Sequence, residues 1–292
     1  MASYDSAPGL MLDGVAPRAA LCERSVAESP AAEVWATIRR EAVEAAERDA
    51  LMGPLITAAL LRHASFADGL AARLARKLAD ADVGGAALTG LIAEALAEEP
   101  GMVQAAATDL VAVRDRDPAC PDLVTPFLFF KGYLALQAYR ISHFLWQRER
   151  QHLARHVQSR ASEVFAMDIH PAARLGCGIL IDHGTGLVIG ETAVVEDDVS
   201  ILQGVTLGGT GKQCGDRHPK IRRGVLLGAG SKVLGNIEVG EGAKVGAGSI
   251  VLDEVAPHTT VVGVPARPVG PKLTDLPALT MDHMLPAPEY AI

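Results

Sequence analysis

The sequence lacks an excess of positive charge. Its 292 residues carry 27 Lys and Arg against 35 Asp and Glu, which gives a formal net charge of −8 at pH 7. Nucleic acids and other polyanions bind clusters of basic residues, so this balance argues against such a partner. Hydrophobic residues make up 49% of the chain. A chain of this length and composition can bury a substantial core in one large domain or two ordinary ones.

Paired cysteines and targeting segments are also missing. The cysteines are far apart and form no CxxC pair, at Cys22, Cys120, Cys177 and Cys214. This spacing indicates neither a disulfide framework nor a zinc site. The first 30 residues have no basic start followed by an apolar core, and no run of about 18 apolar residues predicts a membrane span. We therefore expect a cytoplasmic protein with reduced thiols.

Ala, Leu, Glu and Arg in helical spacing fill the first half of the chain. The first helical segment opens with Ser29 as the expected N-cap and Pro30 at the first helical position. Glycines and prolines separate the segments that follow, at Gly84, Gly85, Pro100, Pro118 and Pro121. We predict an all-α domain over residues 30–165, preceded by a poorly ordered extension over residues 1–29.

From residue 167 onwards, aliphatic residues recur at every sixth position. Glycine, alanine and single polar residues lie between them, so each hexapeptide can form a short strand with an inward side chain and a tight turn. Between Val205 and Ile221 the spacing is sixteen, which predicts an extended loop. We predict a stacked coil over residues 166–271 and a flexible tail over residues 272–292. The in-phase positions are Ile169, Leu175, Ile181, Leu187, Ala193, Val199, Val205, Ile221, Leu227, Val233, Val239, Val245 and Val251.

Three motifs are more specific than the repeat, namely "DIHPAARLGCGILIDHGTG", "SILQGVTLGGTGKQCGDRHPKI" and "VRDRDPACPD". Together they resemble the serine O-acetyltransferases, a family of hexapeptide-repeat acyltransferases, over roughly residues 33–271. The resemblance implies an α+β fold, with an N-terminal all-α helical domain followed by a left-handed parallel β-helix, an exception to the right-handed crossover rule. It also implies that acetyl-CoA acetylates the hydroxyl of L-serine in cysteine biosynthesis.

His183, in the segment "IDHGTG", is the expected general base. Acetyl transfer to a hydroxyl requires removal of its proton, and imidazole suits this task because its ordinary pKa is about 6.5. A carboxylate would fix the ring and stabilise the imidazolium, and we assign this role to Asp168. If a turn takes eighteen residues, the pair is three residues short of stacking, or within about 10 Å. No Ser or Cys nucleophile adjoins a base in the motifs, so we expect direct attack without an acyl-enzyme.

Arg217 and His218 lie near the end of the extended loop. The planar fork of arginine pairs with carboxylates, and in the resembled family the equivalent Arg and His face the substrate. The resemblance also assigns Asp117 and Asp182 to the ammonium of serine. In the family this loop reaches a neighbouring subunit, which implies an active site between the subunits of a trimer. The helical domain further implies a hexamer, as a dimer of trimers.

For acetyl-CoA, small residues at Gly209, Ala229 and Ala247 would let the pantetheine arm lie against the coil, and Lys244 is a candidate for a phosphate. No metal is expected. The resemblance implies L-cysteine as a feedback inhibitor at the serine site. It also implies that a tail ending in isoleucine, here Ile292, docks into O-acetylserine sulfhydrylase.

Other interpretations stay open on the sequence alone. The same fold could acetylate a sugar, an antibiotic or homoserine, although the carboxylates and arginine above favour a zwitterionic acceptor. A zinc lyase of the γ carbonic anhydrase type could use His170, His183 and His218, although their spacing does not match that family. A noncatalytic β-helix scaffold would require neither an Asp-His pair nor the loop. Glu191, in "GETA", either tunes the site or is solvated.

Overall fold

The computed structural model describes residues 30–211 and 214–285, and helices fill its first part as far as Phe165. The helix α2 continues directly into a π-helical turn, Thr57–Leu61. A short helix, α9, follows the strands at Pro277–Thr280. The other helices are α1 Pro30–Arg48, α2 Gly53–Ile56, α3 Phe66–Leu78, α4 Gly85–Glu98, α5 Pro100–Arg116, α6 Val124–Phe129, α7 Lys131–Gln147 and α8 Gln151–Phe165.

Local sequence signals and apolar packing together define the helical part. The helix α3 begins with a capping box, in which the Ser65 side chain accepts the Asp68 N–H and the Asp68 carboxylate accepts the Ser65 N–H. The rings of Trp35, Phe66 and Phe127 pack with centroids 5.7–6.1 Å apart. The buried side chains of these helices form one continuous core with those of the strands.

Short strands follow from residue 167 to residue 269 and form a parallel β-solenoid of about five turns. This confirms the predicted fold class. The strands are β1 Met167–Ile169, β2 Arg174–Leu175, β3 Leu180–Ile181, β4 Leu187–Ile189, β5 Val194–Val195, β6 Ser200–Ile201, β7 Thr206–Gly208, β8 Lys220–Ile221, β9 Leu226–Leu227, β10 Lys232–Leu234, β11 Glu238–Val239, β12 Lys244–Val245, β13 Ile250–Val251, β14 Thr260–Gly263 and β15 Ala266–Val269.

Three sheets form the sides of the solenoid. Side A contains β1, β4, β7, β10 and β13, and side B contains β2, β5, β8 and β11. Side C contains β3, β6, β9 and β12, followed by β14 and the antiparallel β15. We call the turns that lead from side C to side A the CA corner, and those that lead from side A to side B the AB corner. The predicted functional residues lie mainly at these two corners.

Two insertions interrupt a spacing of eighteen residues per turn. Lys220 pairs with Glu238 and Leu226 with Lys244, eighteen residues apart. Val194 pairs with Lys220 across twenty-six residues, so the extended loop adds eight. Leu180 pairs with Ser200 across twenty residues, but Val188 pairs with Thr206 across eighteen. Two extra residues therefore lie between β3 and β4, in the segment that contains His183.

The two-residue insertion between β3 and β4 corrects the predicted stacking of the repeat positions from one turn to the next. All thirteen predicted positions are buried, but Ile169 pairs with Ile189, and Ile181 with Ile201, not with residues eighteen positions later. Each hexapeptide has two inward-pointing positions, and both are apolar here. When two residues are inserted, the apolar residues therefore still recur at every sixth position of the sequence, although the inward position has changed. The assumed eighteen residues for the first turn were therefore wrong. Asp168 lies opposite Val188.

The segment after β15 packs against the coil within residues 273–285. The Ala278 N–H donates to the Gly224 carbonyl at 3.3 Å, and the Ser200 hydroxyl donates to the Ala278 carbonyl at 2.8 Å. Ala278 is fully buried, and Leu276 packs on Gly224. Residues 1–29, 212–213 and 286–292 lie outside the described residues. Among the helices of the described residues, none is long and apolar enough to cross a membrane.

Candidate active site

His183 lies in the widened CA corner between β3 and β4. Its φ is 54°, a left-handed conformation that few residues other than glycine adopt. The side chain is 76% exposed, and Nε2 lies 3.8 Å from Oδ1 of Asp182. Unusual backbone conformations of this kind concentrate at functional sites. The two extra residues therefore present an imidazole to the outside of the coil.

The start of β1 holds this corner from one side. The Gly186 N–H donates to the Ala166 carbonyl at 2.8 Å. Gly184 packs against the Met167 side chain so closely that a Cβ at this position would lie 2.3 Å from Cε. Both glycines have positive φ angles, of 78° and 70°. The junction between the helical part and the coil thus fixes the backbone that follows His183.

The N-terminus of α7 holds the same corner from the other side. A Cβ on Gly132 would lie 2.0 Å from the carbonyl oxygen of Ile181, so the helix backbone packs directly on the last residue of β3. The Lys131 ammonium donates to the hydroxyl of Thr185 within the corner. The sequence motifs gave no indication of these contacts, because they join segments about 50 residues apart.

Asp168 lies on the outer face of side A, in β1. Its carboxylate is exposed, and Oδ1 accepts a hydrogen bond of 2.6 Å from the Gln158 amide of α8. Among the described residues, the carboxylate that lies within 4 Å of a His183 ring nitrogen is that of Asp182. The dyad of His183 with Asp168 therefore stays a prediction.

Asp117 and Asp182 line the same cleft, as their predicted common role requires. The cleft has a volume of about 580 Å³ and lies between the end of α5, β3 and the C-terminal segment. Asp117 is the C-cap of α5, and its Oδ1 accepts the Ala119 N–H at 2.8 Å. Cys120 and His283 also line the cleft. The sequence did not indicate His283, because the tail carries no repeat and no motif.

The Cys120 thiol is not prepared as a nucleophile. Burial raises its pKa to about 11, so the thiol stays protonated at neutral pH, whereas thiolate is the reactive form. Sγ is 3.2 Å from the Asp122 carbonyl oxygen, to which the thiol donates.

His218 is buried at the AB corner. A Cβ on Gly190 would lie 2.0 Å from the His218 ring, so the ring packs directly on the glycine. Burial lowers the pKa of His218, and the adjacent Arg217 charge lowers it further. Its imidazole is therefore held in the neutral form. The Thr192 N–H donates to Nδ1 at 3.2 Å, which leaves the ring proton on Nε2.

Arg217 pairs with Glu191 across the same corner. Its Nη2 donates to Oε2 of Glu191 at 2.6 Å, and Nη1 donates to the Gly215 carbonyl at 3.0 Å. The hydrogen bond from Arg217 lowers the pKa of Glu191. Of the two sequence interpretations of Glu191, the contact favours the one in which it tunes the site.

The candidate coenzyme residues fall into two groups. Ala229 and Ala247 occupy equivalent places in successive turns of the CA corner, where the Gly248 N–H donates to the Ala229 carbonyl at 2.8 Å. They lie on the same edge of the coil as His183. Gly209 instead lies at the AB corner, where its Cβ position would be 3.4 Å from Cγ of Arg217.

Lys244 is buried beneath the C-terminal segment. Its ammonium donates to the Met284 carbonyl at 2.5 Å and lies 3.7 Å from a carboxylate oxygen of Asp282. The C-terminal segment thus binds the Lys244 ammonium, which the sequence suggested as a phosphate ligand. A phosphate would have to displace this segment to reach the ammonium.

Side A separates the two groups of predicted residues. His183 and Asp182 lie at the CA corner, whereas Arg217 and His218 lie at the AB corner. One side of the coil takes six extended residues, which corresponds to about 20 Å at ~3.3 Å per residue. An amino acid is much shorter than this, so the residues of one chain do not converge on one small acceptor.

Sequence comparisons identify the family. A profile described as "Serine acetyltransferase, N-terminal" matches residues 34–138, and "Bacterial transferase hexapeptide (six repeats)" matches residues 218–253. Serine acetyltransferase of Salmonella typhimurium is 54% identical over 250 residues, which cover 86% of this chain and 92% of that protein. The chain belongs to the serine acetyltransferase family. This confirms the resemblance predicted from the motifs.

Solved structures with similar folds carry ligands. A soybean serine acetyltransferase complexed with serine has a TM-score of 0.81 and 50% identity, covering 83% of this chain and 100% of that chain. A Brucella abortus serine acetyltransferase in complex with coenzyme A has a TM-score of 0.81 and 48% identity, covering 82% and 96%. A serine acetyltransferase in complex with cysteine has a TM-score of 0.85 and 49% identity, covering 87% and 98%.

The activity of the chain follows from its family. It is an acyltransferase that uses acetyl-CoA as co-substrate and acetylates the hydroxyl of serine, a reaction of cysteine biosynthesis. This decides against a different acceptor, a zinc lyase and a noncatalytic scaffold. Within the described residues, no three His, Cys, Asp or Glu side chains are grouped as a metal site would require.

Proposed function

We propose that His183 is the general base of serine acetylation. The serine hydroxyl oxygen attacks the thioester carbonyl carbon while the imidazole removes the hydroxyl proton. The tetrahedral intermediate then expels coenzyme A, and the imidazolium returns the proton to its sulfur. The exposed imidazole at a strained corner, held from two sides by the helical part and β1, is the observation that carries this proposal.

Three carboxylates have proposed roles of two kinds. Asp168 would orient the imidazole and stabilise the imidazolium. For this its carboxylate exchanges the hydrogen bond from Gln158 for one from the ring. Asp182 and Asp117 would bind the ammonium of serine, which their shared cleft supports. The residues that bind serine thus come from both proposed domains, residues 30–165 and 166–271.

The active site is proposed to lie between copies of the chain. Arg217 and His218 would bind the serine carboxylate, but they lie one side of the coil away from His183. A trimer with closed symmetry can set the AB corner of one copy against the CA corner of the next. The helical part would then join two trimers into a hexamer.

Acetyl-CoA would lie along the CA corner of the coil. The small side chains of Ala229 and Ala247 leave this edge open, and the same edge leads towards His183. Gly209 would contact the coenzyme from the AB corner of the neighbouring copy. Lys244 would reach a phosphate after its bond to Met284 is released.

Two further ligands follow from the relatives. L-Cysteine, bound in one similar structure, would inhibit this chain at the serine site. Ile292, which lies outside the described residues, would bind O-acetylserine sulfhydrylase. Loss of binding when Ile292 is deleted would test this in a pull-down with the sulfhydrylase. The proposed location is the cytoplasm.

His183→Ala tests the proposed base. General-base catalysis contributes about 10² to 10⁴ in rate, so we expect a loss of this size in the serine-dependent release of coenzyme A. His152→Ala, at an exposed position of α8, is the control and should keep the wild-type rate. Asp117→Asn and Asp182→Asn should raise the KM for serine and leave the KM for acetyl-CoA unchanged. A His183→Ala enzyme within threefold of wild type would contradict the proposal.

A further inference from the structure

Thr192 joins two segments of the AB corner that are about 25 residues apart. Its hydroxyl oxygen accepts the backbone N–H groups of Arg217 at 3.0 Å and of His218 at 3.1 Å. These bonds satisfy two donors at the end of the extended loop, where the chain returns to the coil. A single side chain thus fixes the backbone of both predicted carboxylate-binding residues.

The same residue also fixes the His218 ring. Nδ1 of His218 accepts a hydrogen bond from the Thr192 N–H at 3.2 Å and lies 2.9 Å from the Thr192 hydroxyl. With Nδ1 engaged, a neutral ring carries its proton on Nε2 and donates from there. Gly190 supports the ring face, as described above. Burial and the Arg217 charge lower the pKa of His218, which agrees with a neutral ring.

The neighbouring contacts strengthen this arrangement. The Lys220 ammonium donates to the Thr192 carbonyl at 2.9 Å, and Glu191 pairs with the Arg217 guanidinium at 2.6 Å. The two-residue turn Glu191–Thr192 therefore contacts the loop end through two side chains and through backbone groups. We call this turn and its bonds to residues 217–220 the clasp.

We propose that Thr192 is a positioning residue for serine binding. Through the clasp it holds Arg217 ready for a carboxylate and His218 with Nε2–H as the donor, which rests on the proposed role of these two residues. A backbone donor that loses its acceptor on burial is costly to leave unsatisfied. Loss of one hydroxyl that accepts two N–H groups would therefore loosen the loop end measurably.

The test compares Thr192→Val, Thr192→Ser and the wild type in steady-state kinetics with both substrates. Valine keeps the shape and removes the hydroxyl, whereas serine keeps the hydroxyl. We expect Thr192→Val to raise the KM for serine about tenfold or more, which corresponds to about 1.4 kcal/mol, with the KM for acetyl-CoA within twofold. Thr192→Ser should stay within threefold of wild type for both. Thr259→Val, which loses only a bond to the Pro257 carbonyl, is the matched control.

The outcomes separate this proposal from that for His183. An unchanged serine KM in Thr192→Val overturns the positioning role, and so does an equal rise of both KM values. If Thr192→Val does not fold, Thr192→Ala gives the same comparison. If the proposed base role of His183 is wrong, His183→Ala will instead show a normal turnover rate, whatever the result for Thr192→Val.

Discussion

At the scale of single residues, burial determines the charge of the histidines near the AB corner. His170 is half-buried after β1, and its Nδ1 accepts the Ala172 N–H at 3.1 Å. Its ring packs edge-on against Trp146, with centroids 5.2 Å apart. Burial lowers the pKa of His170, as it does for His218. Both rings are neutral in the folded chain and gain protons more readily when it unfolds.

This difference predicts a dependence of stability on pH. Because the pKa of folded His170 lies below the unfolded value of about 6.5, its contribution is present above that pH and is lost as the pH falls below it. We expect the melting temperature of the wild type to fall between pH 7.5 and pH 5.5. In His170→Gln the fall should be smaller, as measured by scanning calorimetry.

The exposed His152 of α8 provides the control for this measurement. His152→Gln should keep the full wild-type fall in melting temperature. An equally large fall in His170→Gln would mean that the buried ring contributes nothing to the pH dependence.

At the scale of elements, the contact of α7 with β3 links the helical part to the proposed base. Gly132 allows the first turn of α7 to rest on the Ile181 carbonyl, one residue before Asp182. A buried network crosses the same interface, where Asp109 accepts hydrogen bonds from the Arg140 guanidinium at 2.6 Å and the Ile179 N–H at 3.0 Å. The helices thus position the corner, in addition to their proposed role in assembly.

Gly132→Ala should therefore destabilise the protein. The added Cβ would lie 2.0 Å from the Ile181 oxygen, and overpacking of this kind typically costs about 1–3 kcal/mol. Chemical denaturation measures the change, and the turnover rate should fall as the corner shifts.

Gly90→Ala in α4 is the matched control, because no atom lies within 4 Å of its Cβ position. Alanine is the better helix former by roughly 0.5–1 kcal/mol, so this variant should be slightly more stable than wild type. Equal stabilities of the two variants would refute the close contact between α7 and β3.

At the scale of the whole molecule, the separation of the two corners determines how a site can form. The proposed base at the CA corner and the proposed carboxylate-binding pair at the AB corner lie on opposite ends of side A. Stacking more turns cannot bring these corners together, because side A lies between them in every turn. Under the proposed function, a second copy of the chain supplies the missing half.

Mixing two inactive variants tests this arrangement. His183→Ala and Arg217→Ala should each be nearly inactive, but in every mixed trimer one of the three sites combines an intact His183 with an intact Arg217 from the neighbouring chain. Co-expression with two affinity tags should thus restore serine-dependent turnover.

A mixture of His183→Ala with Asp182→Asn is the control, since these residues share one corner of one chain. It should show no recovery beyond the separate variants. If the His183→Ala and Arg217→Ala mixture also stays inactive, each site is complete within a single chain.

The predictability of the elements differed along the chain. Helical spacing indicated helices as far as residue 165, where α8 ends, and all thirteen repeat positions are buried in the solenoid. The six-residue spacing did not reveal the two extra residues beside His183, because both inward positions of each hexapeptide are apolar. It also missed the packing of residues 273–285, since that segment binds the coil through single backbone bonds without any periodic pattern.

The sequence by itself determined the fold class, the family and the residues with suitable chemistry, because these depend on periodicity and on short motifs. The tertiary structure decided which of those residues meet. Asp117 joins Asp182 in one cleft, Thr192 contacts Arg217 and His218, and the proposed base lies at a different corner. Contacts between segments 25 to 70 residues apart create these arrangements, and only the register of the turns and the packing of the helices set such contacts.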